Sequence, residues 1–202
     1  MNLAHDLPWF HSFLKDSVFT YCDGEGVRLA ARLLGRRIPE RIVFSDWIVD
    51  VCRTAAEEQA GVFVLGGTED VATAAAYELR RRIPGIALVG YHHGFLDSVT
   101  HATVLDRINA SGARILIVCM GMPLQERWIL DHFPRLSVPL VLNGGSALDY
   151  VAGMKKRCPP WMGAIGMEWA YRLFQEPGRL WKRYLLGNPR FIIRVLLSRL
   201  AA

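Results

Sequence analysis

Four cysteines, Cys22, Cys52, Cys119 and Cys158, stand in 202 residues, and no two share C-x-x-C spacing. That excludes a disulfide framework and a zinc knuckle. The thiols are expected to behave as small buried hydrophobes in a reducing compartment. No run of about 20 apolar residues occurs, so no helix should span a bilayer. The first residues carry Asp6 and no long apolar stretch, and no secretory leader is expected. G-x-G-x-x-G is missing. Its loosest relative, "GGTEDVATAA", puts Glu69 and Asp70 where a pyrophosphate would favour no acid, which disfavours a dinucleotide-dependent oxidoreductase. No G-x-x-x-x-G-K-[ST] occurs, which excludes a P-loop. There is no D-x-D of the kind that holds a metal-bound sugar nucleotide, no metal-ligand spacing, no internal repeat and no low-complexity tract.

Acids are also missing from Pro177 to Ala202, where six cations stand alone: Arg179, Lys182, Arg183, Arg190, Arg194 and Arg199. Setting these aside leaves 18 bases against 19 acids, so the net charge of +5 belongs to the tail. A nucleic-acid binder would carry basicity on its folded body as well, and no nucleic acid is expected as a partner. From Glu168 onward cations interleave with Trp169, Trp181, Tyr184 and Phe191. An amphipathic helical segment of that composition suits an anionic membrane surface, at roughly 1 kcal/mol per cation. A helical lid or an oligomer contact is the plainer reading.

Apolar residues make up 51% of the chain, enough for a sizeable core. The expected organisation is an α/β domain over 1–163 and a basic amphipathic helical appendage over 164–202. Residues 1–17 read as a short helix or loop, and Val18–Tyr21 as a strand ending on Cys22-Asp23-Gly24. Gly26–Leu34 reads as a helix closed by Gly35. Apolar periodicity predicts a helix over Trp47–Gln59. Four apolar runs, "GVFVLGG", "IALVG", "RILIVCMG" and "PLVLNGG", then alternate with helical patterns, the first capped by Thr68. Continuous Val/Ile/Leu strands between helices predict a Rossmann-like, mostly parallel sheet covered on both faces. Beyond "CPPWMG", Pro177 and Pro189 are expected to separate three helical segments.

In open parallel sheets ligands gather at the carboxyl ends of strands. Here those ends read Gly66-Gly67, Gly90 with His92-His93-Gly94, Gly121-Met122-Pro123 and Asn143-Gly144-Gly145. Glycines admit close approach of a ligand, and the following helix N-termini suit a diphosphate. Gly66, Gly67, His93, Asn143 and Gly144 are therefore candidate substrate-binding residues. Read blandly, glycine is simply common in such turns. His92 and His93 are adjacent and cannot form a metal pair on one helix face. Asp23 alone reads as a cap or turn residue, Arg41 as a surface arginine and Gln125 as a solvated helix residue.

Several stretches taken together resemble the WecG/TagA/CpsF family of bacterial glycosyltransferases. They are "CDGEGV", "RIPERIVFSD", "VFVLGGTEDVATAAAYELRRRIPGIALVGYHHGF", "ILIVCMGMPLQERWI", "LNGGSALDYVAG" and the tail from "KRCPPWMG" onward. The P-x-Q-E segment followed by E-W-x-x-R-L-x-x-E-P-x-R-L-x-x-R-Y is the specific part. The resemblance implies an inverting enzyme, independent of metal or other cofactor. It would move N-acetylmannosamine or another hexose from a UDP-sugar to a polyprenyl-diphosphate-linked sugar, in cell-surface polysaccharide or teichoic acid synthesis. It implies work at the cytoplasmic face of the plasma membrane, peripheral attachment and self-association. The family's P-D-G general base falls on Asp23, with Cys22 in place of the proline. Further site residues fall on Arg41 and Gln125, the latter hydrogen-bonding a sugar or phosphate. The appendage arginines that would close over the site fall on Arg172, Arg179 and Arg183. The alternative is a catalytically silent, membrane-docked binding or scaffold relative, favoured by a shorter stretch ahead of Asp23 than family members usually carry.

Overall fold

The computed structural model describes residues 2–38 and 40–200. In chain order, α1 (Asn2–Asp6), α2 (Pro8–Asp16) and α3 (Glu25–Leu33) precede α4 (Phe44–Glu57). Strands and helices then alternate: β1 (Val62–Gly66), α5 (Glu69–Arg82), β2 (Leu88–His92), α6 (Ser98–Ala110), β3 (Ile115–Cys119), α7 (Leu124–His132), β4 (Leu140–Asn143) and α8 (Ala147–Val151). α9 (Pro160–Ala164), α10 (Glu168–Gln175), α11 (Pro177–Trp181), a π-helical turn (Lys182–Gly187) and α12 (Asn188–Leu200) follow. Two compact units result. One is Phe44–Lys156, and the other joins Met1–Val43 to Arg157–Ala202.

In the Phe44–Lys156 unit the sheet order is β2-β1-β3-β4 and every pairing is parallel, as the alternating pattern predicts. All five residues of β1 are buried, which is why that run lacks polar alternation. Ile48, Phe63, Leu65, Leu105 and Ile117 lie at or near zero exposure. Each such side chain contributes about 1.5–3 kcal/mol by leaving water. Helix α5 turns Ala72, Ala75, Ala76 and Leu79 inward at helical spacing, and Thr68 Oγ1 accepts from Val71 N at its start. The chain leaves β1 toward β2 and leaves β3 toward β4, in opposite directions. The carboxyl ends of β1 and β3 therefore flank the topological switch point.

The other unit is helical and takes its parts from both ends of the sequence. Asn2 Nδ2 donates to Gly187 O at 2.7 Å, and Arg194 donates to Asn2 Oδ1 at 3.1 Å and to Asp6 Oδ1 at 2.8 Å. Helix α12 also packs against α3. The core of this unit is thin: Phe10, Ala30, Leu180 and Val195 are buried, whereas Phe174, Trp161, Leu186 and Leu197 lie exposed.

The structure departs from two expectations. Residues 18–21 form no strand, and Val18 stands fully exposed. A β-prone run needs a neighbouring strand for its backbone, and the sheet lies elsewhere, in β1 to β4; Phe19 and Tyr21 set their rings 6.2 Å apart. Nor does Pro189 separate two helices. The backbone stays helical from α11 through the π turn into α12, with Lys182 at φ −59°, ψ −42° and Asn188 at φ −66°, ψ −49°. The proline is the second residue of α12, where its missing N–H is tolerated, and the wider turn before it accommodates its ring.

Candidate functional site

Asp23 does not cap α3. Gly24 holds the cap position, with no side-chain cap hydrogen bond. The Asp23 carboxylate instead faces Arg41. Arg41 Nε donates to Asp23 O at 2.6 Å, and its Nη2 lies 3.6 Å from Asp23 Oδ1. A backbone bond from Ile42 N to Cys22 O, 3.0 Å, fixes the two segments side by side. Burial among neighbouring groups raises the Asp23 carboxyl above its usual range, and the positive charge of Arg41 opposes that rise. With 53% of the side chain open to water, the carboxylate can meet a substrate from solution.

Arg41 is held by a residue that the sequence reading gave no role. Glu168, at the start of α10, is 6% exposed, and its Oε2 accepts from Arg41 Nη2 at 2.6 Å. Glu168 Oε1 accepts from Arg157 at 3.0 Å and lies 3.8 Å from Arg172 Nε. Burial pushes the Glu168 carboxyl up, but the Arg41 hydrogen bond and the charges of Arg157, Arg41 and Arg172 outweigh it and hold it below its usual range. For Arg41, burial works against the charge, while Glu168 and Asp23 more than offset it. The result is one compact cluster of Asp23, Arg41, Arg157, Glu168 and Arg172. The signal was present in the E-W-x-x-R segment, whose first residue is this carboxylate. Pro39, in the segment that carries Arg41, lies outside the described residues.

Arg179 pairs with Glu176, three residues before it, and Arg183 stands 5.8 Å from the Tyr184 ring. Arg190 and Arg194 face Asp6.

In the Phe44–Lys156 unit a second polar constellation sits at the strand ends. Gln125 is 2% exposed, and its Oε1 accepts from Gly121 N at 3.1 Å and Gly145 N at 2.9 Å. Its Nε2 donates to Glu126 Oε1, 2.7 Å away, which also accepts from Asn143 Nδ2 at 2.8 Å. Gln125 thus ties together the ends of β3 and β4. Glu126 is fully buried, and its Oε2 has no hydrogen-bond partner. The candidate glycines are packed as tightly as they are placed. A Cβ on Gly66 would come within 2.2 Å of Cys119 O, and one on Gly144 within 2.7 Å of Cys119 Sγ. Gly67 has φ +71° and its N–H donates to Cys119 O at 3.2 Å. His93 Nε2 stands 3.7 Å from Glu69, and its Nδ1 is buried without a hydrogen bond. Burial pushes the Cys52 and Cys119 thiols up to about 12, which leaves them unreactive at neutral pH.

Among the described residues, no helix is long and apolar enough to cross a membrane. A family model described as the glycosyl transferase WecG/TagA/CpsF family matches residues 1–202. Two proteins of Staphylococcus aureus, from strains MW2 and NCTC 8325 / PS 47, bear the name N-acetylglucosaminyldiphosphoundecaprenol N-acetyl-beta-D-mannosaminyltransferase. Each is 32% identical to this chain over 197 residues, covering 96% of it and 75% of their own length.

Proposed function

The chain belongs to the WecG/TagA/CpsF family and is a glycosyltransferase, and from that premise we propose that it transfers N-acetylmannosamine, or another hexose, from a UDP-sugar to a polyprenyl-diphosphate-linked sugar. The names of the relatives support the acceptor class. The step assigned is a single inverting displacement. The acceptor hydroxyl oxygen attacks the anomeric carbon, Asp23 takes the hydroxyl proton, and the bond to the UDP oxygen breaks as UDP departs. The observation that carries the reading is a carboxylate half open to solvent beside a guanidinium, Asp23 Oδ1 to Arg41 Nη2 at 3.6 Å. Crowding that lifts the carboxyl's pKa also makes it a stronger base.

Cations supply the stabilisation of negative charge in this mechanism. Arg41 and Arg172 are the arginines assigned to it nearest Asp23, with Arg179 and Arg183 joining from the tail. Gln125 acts by holding the ends of β3 and β4 in register around the nucleotide crevice, with Asn143, Gly144, Gly66, Gly67 and His93 forming its rim. No step in this scheme calls for a cofactor. The basic, aromatic-rich helices bring the protein to the anionic inner face of the plasma membrane as a peripheral protein, in service of cell-surface polymer synthesis.

The test is product formation. The purified chain, a panel of UDP-sugars and a lipid-diphosphate-linked N-acetylglucosamine should release UDP and yield a disaccharide product by mass analysis. Asp23→Asn should lower turnover by about 10²–10⁴. No UDP release with any sugar would instead support a silent binding relative.

A further inference from the structure

Helix α3 carries Arg28 and Arg32 four residues apart, hence on one face. With Glu25 and Arg41 they line a cavity of about 560 Å³, which Val43 and Ile165 border with apolar surface. Its lining thus carries three arginines and one glutamate. Arg28 Nη1 donates to Glu25 at 3.1 Å, but its Nε is buried with no hydrogen-bond partner. A buried guanidinium N–H without an acceptor is costly, and planar forked donors match phosphate oxygens. Arg41 spans two environments, since it both lines the cavity and sits beside Asp23.

We propose that this cavity receives the diphosphate of the lipid-linked acceptor, with Arg28 and Arg32 as its binding residues. The inference rests on the reading of Asp23 as the base. The acceptor carries its nucleophilic hydroxyl and its diphosphate on the same sugar. A ligand whose hydroxyl meets Asp23 can extend that diphosphate past Arg41 toward Arg28 and Arg32. The same unit also carries the tail helices, where Trp181, Leu185 and Leu186 are exposed among cations. A polyprenyl diphosphate lies at such an interface, its chain in the hydrocarbon and its phosphates among the headgroups. A soluble UDP-sugar has no need of that surface, and the switch point between β1 and β3 is the place where a parallel sheet takes its nucleotide. Ile165, with 65% of its surface exposed, offers the first prenyl carbons an apolar wall.

Equilibrium binding separates the two diphosphate sources without requiring turnover. Titration calorimetry would use the full chain with a short-prenyl diphosphate-linked N-acetylglucosamine in one arm and UDP in the other. Arg32→Ala and Arg28→Ala should each weaken the prenyl-diphosphate ligand about tenfold or more, the loss of one charge-assisted bond, and leave UDP within twofold. Arg32→Lys should restore part of the loss. Arg32 is exposed, so its truncation leaves the fold intact, and matching thermal unfolding of the variant checks this. Unchanged affinity for the prenyl ligand would overturn the assignment. So would a parallel loss for UDP, which would make the cavity a donor site. Failure of the catalytic reading looks different: parent protein that binds the prenyl ligand through Arg28 and Arg32 yet releases no UDP.

Discussion

Glu168 and Arg41 meet at 2.6 Å across 127 positions of sequence, Oε2 to Nη2, and the carboxylate is the buried member of the pair. Arg41 also touches Asp23, so the placement of the proposed base depends on a residue that does not face it directly. Arg157 and Arg172 share the same carboxylate.

Truncation at Glu168 should therefore cost more than one contact. Glu168→Ala leaves three arginines around an apolar methyl and is expected to destabilise the protein by about 3 kcal/mol, the cost of breaking a buried pair. Urea unfolding measures this. Glu168→Gln keeps an acceptor oxygen and should fall between the two, with kcat reduced more than either KM because Arg41 is no longer fixed.

The same carboxylate sets an acid limit on stability. Its folded pKa lies below the ordinary value, so its contribution is complete above the unfolded pKa of about 4.3 and is lost as pH falls through the folded value. Thermal midpoints should drop steeply below about pH 4 in the parent. The drop should be shallower in Glu168→Gln, measured by a pH series of melting curves.

Asp23 carries the opposite sign. Its folded pKa is raised, so the fold favours the protonated form, and ionisation at neutral pH opposes folding. With 53% of its side chain open to solvent the effect is small: Asp23→Asn should melt slightly higher than the parent at pH 7 and lose that advantage in acid, while its transfer activity collapses. In the parent, kcat/KM should fall on the acid side through a pKa above the usual aspartate range, and that limb should vanish in the variant.

At the strand ends, Gln125→Ala strands two backbone donors, Gly121 N and Gly145 N, and removes one partner of Glu126. A loss of about 3 kcal/mol is expected at unchanged urea m value. Gly66→Ala should be harsher, because its Cβ would meet backbone rather than a movable side chain, 2.2 Å from Cys119 O. Soluble yield and melting temperature give the readout.

The Phe44–Lys156 unit was legible because its signals are local. β1 and β3 are unbroken apolar runs, Thr68 announces a helix start, and glycines close the strands. Residues 18–21 misled for the converse reason: Val, Phe, Thr and Tyr favour a strand, but strand formation is decided by a neighbour that no local window contains. Pro189 misled because a proline near a helix start and a proline that ends a helix read alike in sequence. Within the candidate site, Asp23 and Arg41 came from motif resemblance, and the structure sets them side by side. Glu168 stands in the recognisable E-W-x-x-R segment, but its pairing with Arg41 has no sequence signal, since only folding brings α10 to the segment after α3. Gln125 and Glu126 sit in the recognisable P-x-Q-E segment. Their burial depends on the packing of β3 and β4 and has no counterpart in their polarity.

Cys22 adjoins Asp23 and is half-buried, and partial burial raises its thiol; Cys52 and Cys119 are sealed in the interior, with thiols pushed up to about 12. A maleimide fluorophore or spin label offered to the native chain would thus be steered to Cys22 and Cys158. Replacing Cys158 alone would leave a single reporter one residue from the carboxylate, sensitive to whatever sugar or lipid arrives there.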